Sequence, residues 1–135
     1  MNTSGVSAVL LVVGSMTPQA VTPSARPIVF SRVCNIEPGQ DAATVALARE
    51  MVTLVNERYP GAEMTVHTGR WMTGFQSLAA PLNQIRFTER HPDLERRDAF
   101  TAILLGDDDF EALQRKVAEA IDFGSCTDTQ FRAPP

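Results

Sequence analysis

The chain has 135 residues, 44% of them hydrophobic and 21% charged, with a formal net charge of −4 at pH 7. That is enough chain for one globular domain with an ordinary core, and the acidic balance argues against a nucleic-acid footprint. No run approaches the ~18 apolar residues of a membrane span, so neither nucleic acid nor membrane is an expected partner.

Residues 1–26 stand apart from the rest. Val6–Val13, VSAVLLVV, is a compact apolar run followed by a tract rich in Pro, Ser and Thr. A secretory signal has a similar apolar centre, but no Lys or Arg precedes this one. Its length and β-branched content suit an extra strand, or an arm laid on a partner subunit. Pro18, Pro23 and Pro27 then mark a linker.

The regular domain, 27–135, opens with a strand over Ile28–Ile36. Alternation places Val29 and Val33 on one face and Ile28, Phe30 and Cys34 on the other. Glu37–Gln40 reads as a turn and Asp41 as the N-cap of a helix over Ala42–Arg58, which carries apolar residues at helical spacing. Tyr59-Pro60-Gly61 ends that helix. Ala62–Met72 alternates as a second strand, with Met64, Val66, Thr68, Arg70 and Met72 opposite Glu63, Thr65, His67, Gly69 and Trp71. Thr73–Pro81 reads as a loop, with one helical turn around Gln76–Ala79. Leu82–Thr88 alternates again as the third strand.

His91-Pro92-Asp93 opens a helix that runs to Leu105 and breaks at Gly106. Asp107, Asp108 and Asp109 restart it. Three adjacent acids resemble a metal site, yet at a helix start they are more simply caps, and Asp108 with Glu111 has capping-box spacing. The last helix buries Phe110, Leu113, Val117, Ala120 and Ile121, and Thr127–Arg132 forms a final short strand. Cys34 and Cys126 fit no metal spacing; free buried thiols in a reducing compartment are expected over a disulfide, and with them a cytoplasmic location.

The order strand, helix, strand, strand, helix, strand is that of an α+β, ferredoxin-like βαββαβ domain with an antiparallel sheet. Helices on one sheet face leave the other needing cover, so a homodimer is expected. The chain resembles the dimeric α/β-barrel superfamily, in its NIPSNAP-like and antibiotic-biosynthesis-monooxygenase-like branches. The resemblance rests on the Arg70-Trp71 pair ending the second strand, on HPDLERRDAF, on the acidic break LLGDDDF and on EALQRKV. It covers about residues 27–133. It implies a pocket between sheet and helices and chemistry such as cofactor-independent oxygenation, polyketide cyclisation or haem binding; haem would need His67 or His91 as axial ligand.

Among candidate site residues, His67 can act as general acid or base, or be a hydrogen-bonded structural or dimer-seam residue. Trp71 is packing or the flat wall of an aromatic ligand's site. Arg32 and Arg86 are strand-borne charges, unremarkable on a solvent-exposed sheet face; in a sheet buried by dimerisation they need Glu63, Glu89 or Asp128 as partners, or an anionic ligand. Tyr59, Asn83, Phe87 and Phe30 complete a candidate substrate-binding set, and His91 reads as a cap or surface residue. With no metal spacing and no nucleotide motif, no cofactor is expected. With these residues, the resemblance implies a small tailoring enzyme of bacterial specialised metabolism, a cofactor-independent monooxygenase or cyclase acting on a hydrophobic, polyketide-like molecule. His67 would be the base and Arg32 or Arg86 the counter-charge of an enolate. The alternative is a non-catalytic dimeric module that binds a small molecule or a partner.

Overall fold

The computed structural model describes residues 26–71 and 82–135. The expected strand or arm at Val6–Val13 and helical turn at Gln76–Ala79 lie outside the described residues.

Four antiparallel strands, β1 (Ile28–Ile36), β2 (Thr65–Gly69), β3 (Gln84–His91) and β4 (Ile121–Arg132), stand side by side in the order β2-β3-β1-β4. Three helices, α1 (Asp41–Arg58), α2 (Leu94–Leu104) and α3 (Asp108–Ala120), cover one face. This is the ferredoxin-like α+β architecture expected from the element order. α1 buries Thr44, Ala48, Met51 and Val55, and α3 buries Phe110, Leu113, Val117 and Ala120, each a stripe at helical spacing. These stripes meet Cys34, Ile36, Ile85 and Phe87 of the sheet in one core. Ile28, Val55 and Ile85 are almost wholly buried, which stabilises the fold by about 1.5–3 kcal/mol per side chain.

The elements depart from the sequence reading at their ends. β2 begins only at Thr65, because Pro60–Ala62 forms a single 3-10 turn and Glu63 follows it with a φ of +43°. Asn56 then clamps the entry to β2, its amide donating to Met64 O and accepting from Met64 N, both at 2.8 Å. β3 runs on to His91, since Ile28 is its last partner on β1, so Pro92 stands outside α2 and Asp93 caps that helix through Arg96 N. Asp107, rather than Asp108, caps α3, accepting from the backbone N–H groups of Asp109 and Phe110. α1 starts at Asp41 itself, after Gln40, with no side-chain cap.

β4 starts directly after α3, at Ile121, six residues before the strand read from sequence. That extension corrects the reading of the cysteines. Val33 pairs with Thr127 across β1 and β4, so Cys34 faces Cys126, and the two form a disulfide with Cα atoms 4.2 Å apart. The expected free thiols are not there.

Candidate functional site

Alternation along β1 and β3 aims Phe30, Arg32 and Cys34, with Phe87 and Glu89, at the helices. Together with Met64, Phe100 and Leu104 of the surrounding elements they enclose a cavity of about 200 Å³ between the sheet, α2 and α3. Its walls are mostly apolar. Its polar groups gather around β1, β3 and the first turns of α2.

Arg32 forms a bidentate pair with Asp128 on β4, Nε to Oδ1 at 2.7 Å and Nη2 to Oδ2 at 2.8 Å. The two stand opposite each other in the strand register, which fixes the fork geometry. The Arg32 hydrogen bonds hold the Asp128 carboxyl below the usual carboxylate range, and Asp128 in turn raises the pKa of Arg32. Glu89, only 8% exposed, lies 3.1 Å from Nε2 of His91, which is 3% exposed. The His91 ring packs on Phe100 at 4.9 Å between centroids. His91 is therefore a buried partner of a carboxylate, not the cap or surface residue read from sequence. Arg97 of α2 sets its guanidinium 4.6 Å above the Phe30 ring, and its buried Nε has no hydrogen-bond partner among the described residues.

The opposite sheet face carries a second hollow of about 600 Å³, lined by His67, Arg86, Trp71, Val33, Thr127 and Thr129. His67 pairs with Arg86 across β2 and β3 and both are exposed, while Trp71 is 74% exposed. The candidate set thus divides in three. Arg32, Phe30 and Phe87 line the helix-side cavity, whereas His67, Arg86 and Trp71 share the outer face. Tyr59 and Asn83 line neither. The Tyr59 hydroxyl donates to Asp107 at 2.8 Å, and the carbonyl of Asn83 accepts from Ile36 N at 2.8 Å.

Asp107 anchors a separate network in which Arg58 donates to both its oxygens and to Asp109. Arg58 first, then Phe110 N–H and Tyr59, pull the Asp107 carboxyl down to about 2. The same hydrogen bond raises the pKa of Tyr59. This joins the end of α1 to the start of α3 and is structural. Among the described residues, no group of three or more His, Cys, Asp or Glu is arranged to hold a metal ion, and no helix is long and apolar enough to cross a membrane.

Sequence reasoning missed Glu89, His91 and Arg97 as a group. The signal was present in FTERH, where residues 87, 89 and 91 share a face once the strand continues to His91.

No family model matches the chain, and no curated protein matches it either. Solved structures do. A NIPSNAP family protein from Agrobacterium tumefaciens matches with a TM-score of 0.59 at 18% identity, over 81% of this chain and 87% of that one. A mutant of SnoaB, a cofactor-independent oxygenase from Streptomyces nogalater, matches with a TM-score of 0.58 at 12% identity, over 82% and 96%. A candidate antibiotic biosynthesis monooxygenase from Caulobacter crescentus matches with a TM-score of 0.60 at 12% identity, over 83% and 93%. The chain therefore shares the ferredoxin-like fold of NIPSNAP family and antibiotic-biosynthesis-monooxygenase-like proteins.

Proposed function

We propose that the chain is a small cofactor-independent monooxygenase or cyclase that removes a proton from an enolisable, mainly apolar substrate in the cavity between sheet and helices. The observation that carries this reading is the buried Glu89–His91 pair on an apolar cavity that two arginines also line. Glu89, rather than His67, is the base. Its carboxylate accepts the substrate C–H proton, with His91 hydrogen-bonded behind it, and Arg32 or Arg97 faces the enolate oxygen.

Dioxygen is the second substrate of the oxygenase. The enolate's electron pair forms a C–O bond to dioxygen and, with the proton, gives a hydroperoxide. Loss of the second hydrogen from that carbon, as a proton, then breaks the O–O bond. A CH₂ group and O₂ become a carbonyl and water. In the cyclase the enolate carbon attacks a carbonyl of the same molecule, and Glu89 returns its proton to the new alkoxide.

A cavity of about 200 Å³ is smaller than the ~300–1,000 Å³ of most ligand sites, which favours a one- or two-ring substrate over a polycyclic polyketide. Similarity in fold to SnoaB and to the Caulobacter protein supports a role in specialised metabolism. A homodimer is part of the proposal, with the second copy covering the outer sheet face, where Trp71 and Phe131 are exposed. The disulfide favours an oxidising compartment over the cytoplasmic location expected from sequence. A second reading has one observation behind it: His67, Arg86 and Trp71 share the outer hollow, which a dimer would enclose.

The test is oxygen uptake by the purified protein with 2-tetralone, a two-ring ketone with acidic C–H bonds. Uptake that falls at least ~10²-fold in Glu89→Gln supports the proposal. Uptake that is absent contradicts the oxygenase reading, and uptake equal in the variant contradicts the role of Glu89.

A further inference from the structure

The geometry points to a substrate that carries a carboxylate or phenolate, with Arg97 as the residue that selects it. This rests on the reading of the helix-side cavity as the ligand site. Three ionic groups line that cavity, and two of them are already engaged. The Arg32 fork is filled by Asp128, in two hydrogen bonds of 2.7 and 2.8 Å. Glu89 is hydrogen-bonded to His91.

Arg97 is different. Its side chain is 21% exposed, and among the described residues the one carboxylate within ion-pair distance is that of Asp98, at 3.7 Å from Nη1, too far for a hydrogen bond; Asp128, already held by the Arg32 fork, adds only a longer-range attraction. Asp98 is 65% exposed and adjacent on the same helix, so it leaves Arg97 free to turn its donors to a ligand. The Nε–H is out of water with no acceptor among the described residues, a state that costs free energy until something accepts from it. Meanwhile the Phe30 ring, 4.6 Å from the guanidinium carbon, holds that group at the cavity wall. A planar guanidinium presenting Nε and one Nη matches the two oxygens of a carboxylate, and can take a phenolate oxygen singly. The apolar walls then hold the rest of the molecule. Positioned in this way, the substrate places its C–H bond toward Glu89, which lines the same cavity.

The experiment is equilibrium binding of 2-naphthoate and of its neutral counterpart, 2-naphthalenemethanol, to the full chain and to Arg97→Gln and Arg97→Lys, with far-UV circular dichroism confirming the fold of each. The wild-type chain is expected to bind the naphthoate at least about tenfold more tightly than the alcohol. In Arg97→Gln that preference falls to within about twofold, and Arg97→Lys keeps part of it because the charge remains but the fork is lost. Equal binding of acid and alcohol by the wild type, or a preference that survives in Arg97→Gln, overturns the role of Arg97 and leaves the cavity as a ligand site. Failure of both compounds to bind the wild type overturns the inference together with the reading of the cavity on which it rests.

Discussion

Breaking the Cys34–Cys126 bond tests how much the β1–β4 crosslink contributes to stability. The bond closes a loop of 92 residues. The loop-closure relation converts that length to about 4.6 kcal/mol of stabilisation at 25 °C, acting by restricting the unfolded chain. With a urea m-value of roughly 2 kcal/mol/M, the midpoint of unfolding should fall by roughly 2.3 M on reduction. The assay is equilibrium urea unfolding followed by circular dichroism, with and without a phosphine reductant. Cys34→Ala/Cys126→Ala serves as the control that cannot respond, and its midpoint should be indifferent to the reductant. Thiol titration of the oxidised protein in denaturant should find no free thiol. Two titratable thiols, or a wild-type midpoint that moves by less than about 0.3 M, would show that the crosslink does not stabilise the fold in this way.

The Asp107 network predicts an acid-sensitive component of stability. Its folded-state pKa of about 2 lies below the ordinary 3.8, so the contribution is complete above about pH 4 and is lost as the pH falls toward 2. Asp107→Asn should lower the unfolding midpoint at pH 7 and show a smaller further loss between pH 4 and 2 than the wild type; parallel pH profiles would remove Asp107 as the source. The outer sheet face predicts a dimer, and light scattering after size exclusion should give twice the chain's 14.7 kDa. A species at the single-chain mass would rule the dimer out.

Much of the fold was legible because burial writes a period into the sequence. Ala48, Met51 and Val55 in α1 and the stripe from Phe110 to Ala120 are helical spacings, and the alternation of Ile28–Ile36 sets both faces of β1, whereas the buried Thr44 carries no apolar mark in the sequence. Strand ends were not legible in the same way. Glu89, Arg90 and His91 look like the start of a polar connection, yet two of them are buried because β1 supplies a partner as far as Ile28. Likewise Asp122 to Cys126 looks like a loop around Gly124, yet β4 runs through it, with Asp122 paired to Asn35 and a register shift before Thr127 meets Val33. These are tertiary effects, absent from any local window. They also decided the site. Reading β3 as ending at Thr88 hid the Glu89–His91 pair, and reading β4 as starting at Thr127 left Cys126 just outside the sheet. The face of His67 could not be fixed from sequence either, since a one-residue shift reverses it.

The central claim is that Glu89 removes the substrate's proton, and deuterium exchange isolates that step from any later oxidation. The C1 hydrogens of 2-tetralone would be followed by NMR in anaerobic deuterated buffer with the wild type, Glu89→Gln and His67→Ala. Exchange faster than buffer alone is expected for the wild type and His67→Ala, with the acceleration lost in Glu89→Gln. Acceleration that persists in Glu89→Gln and disappears in His67→Ala would contradict it and move the site to the outer sheet face. No acceleration by the wild type would leave the cavity without a base and favour a non-catalytic module.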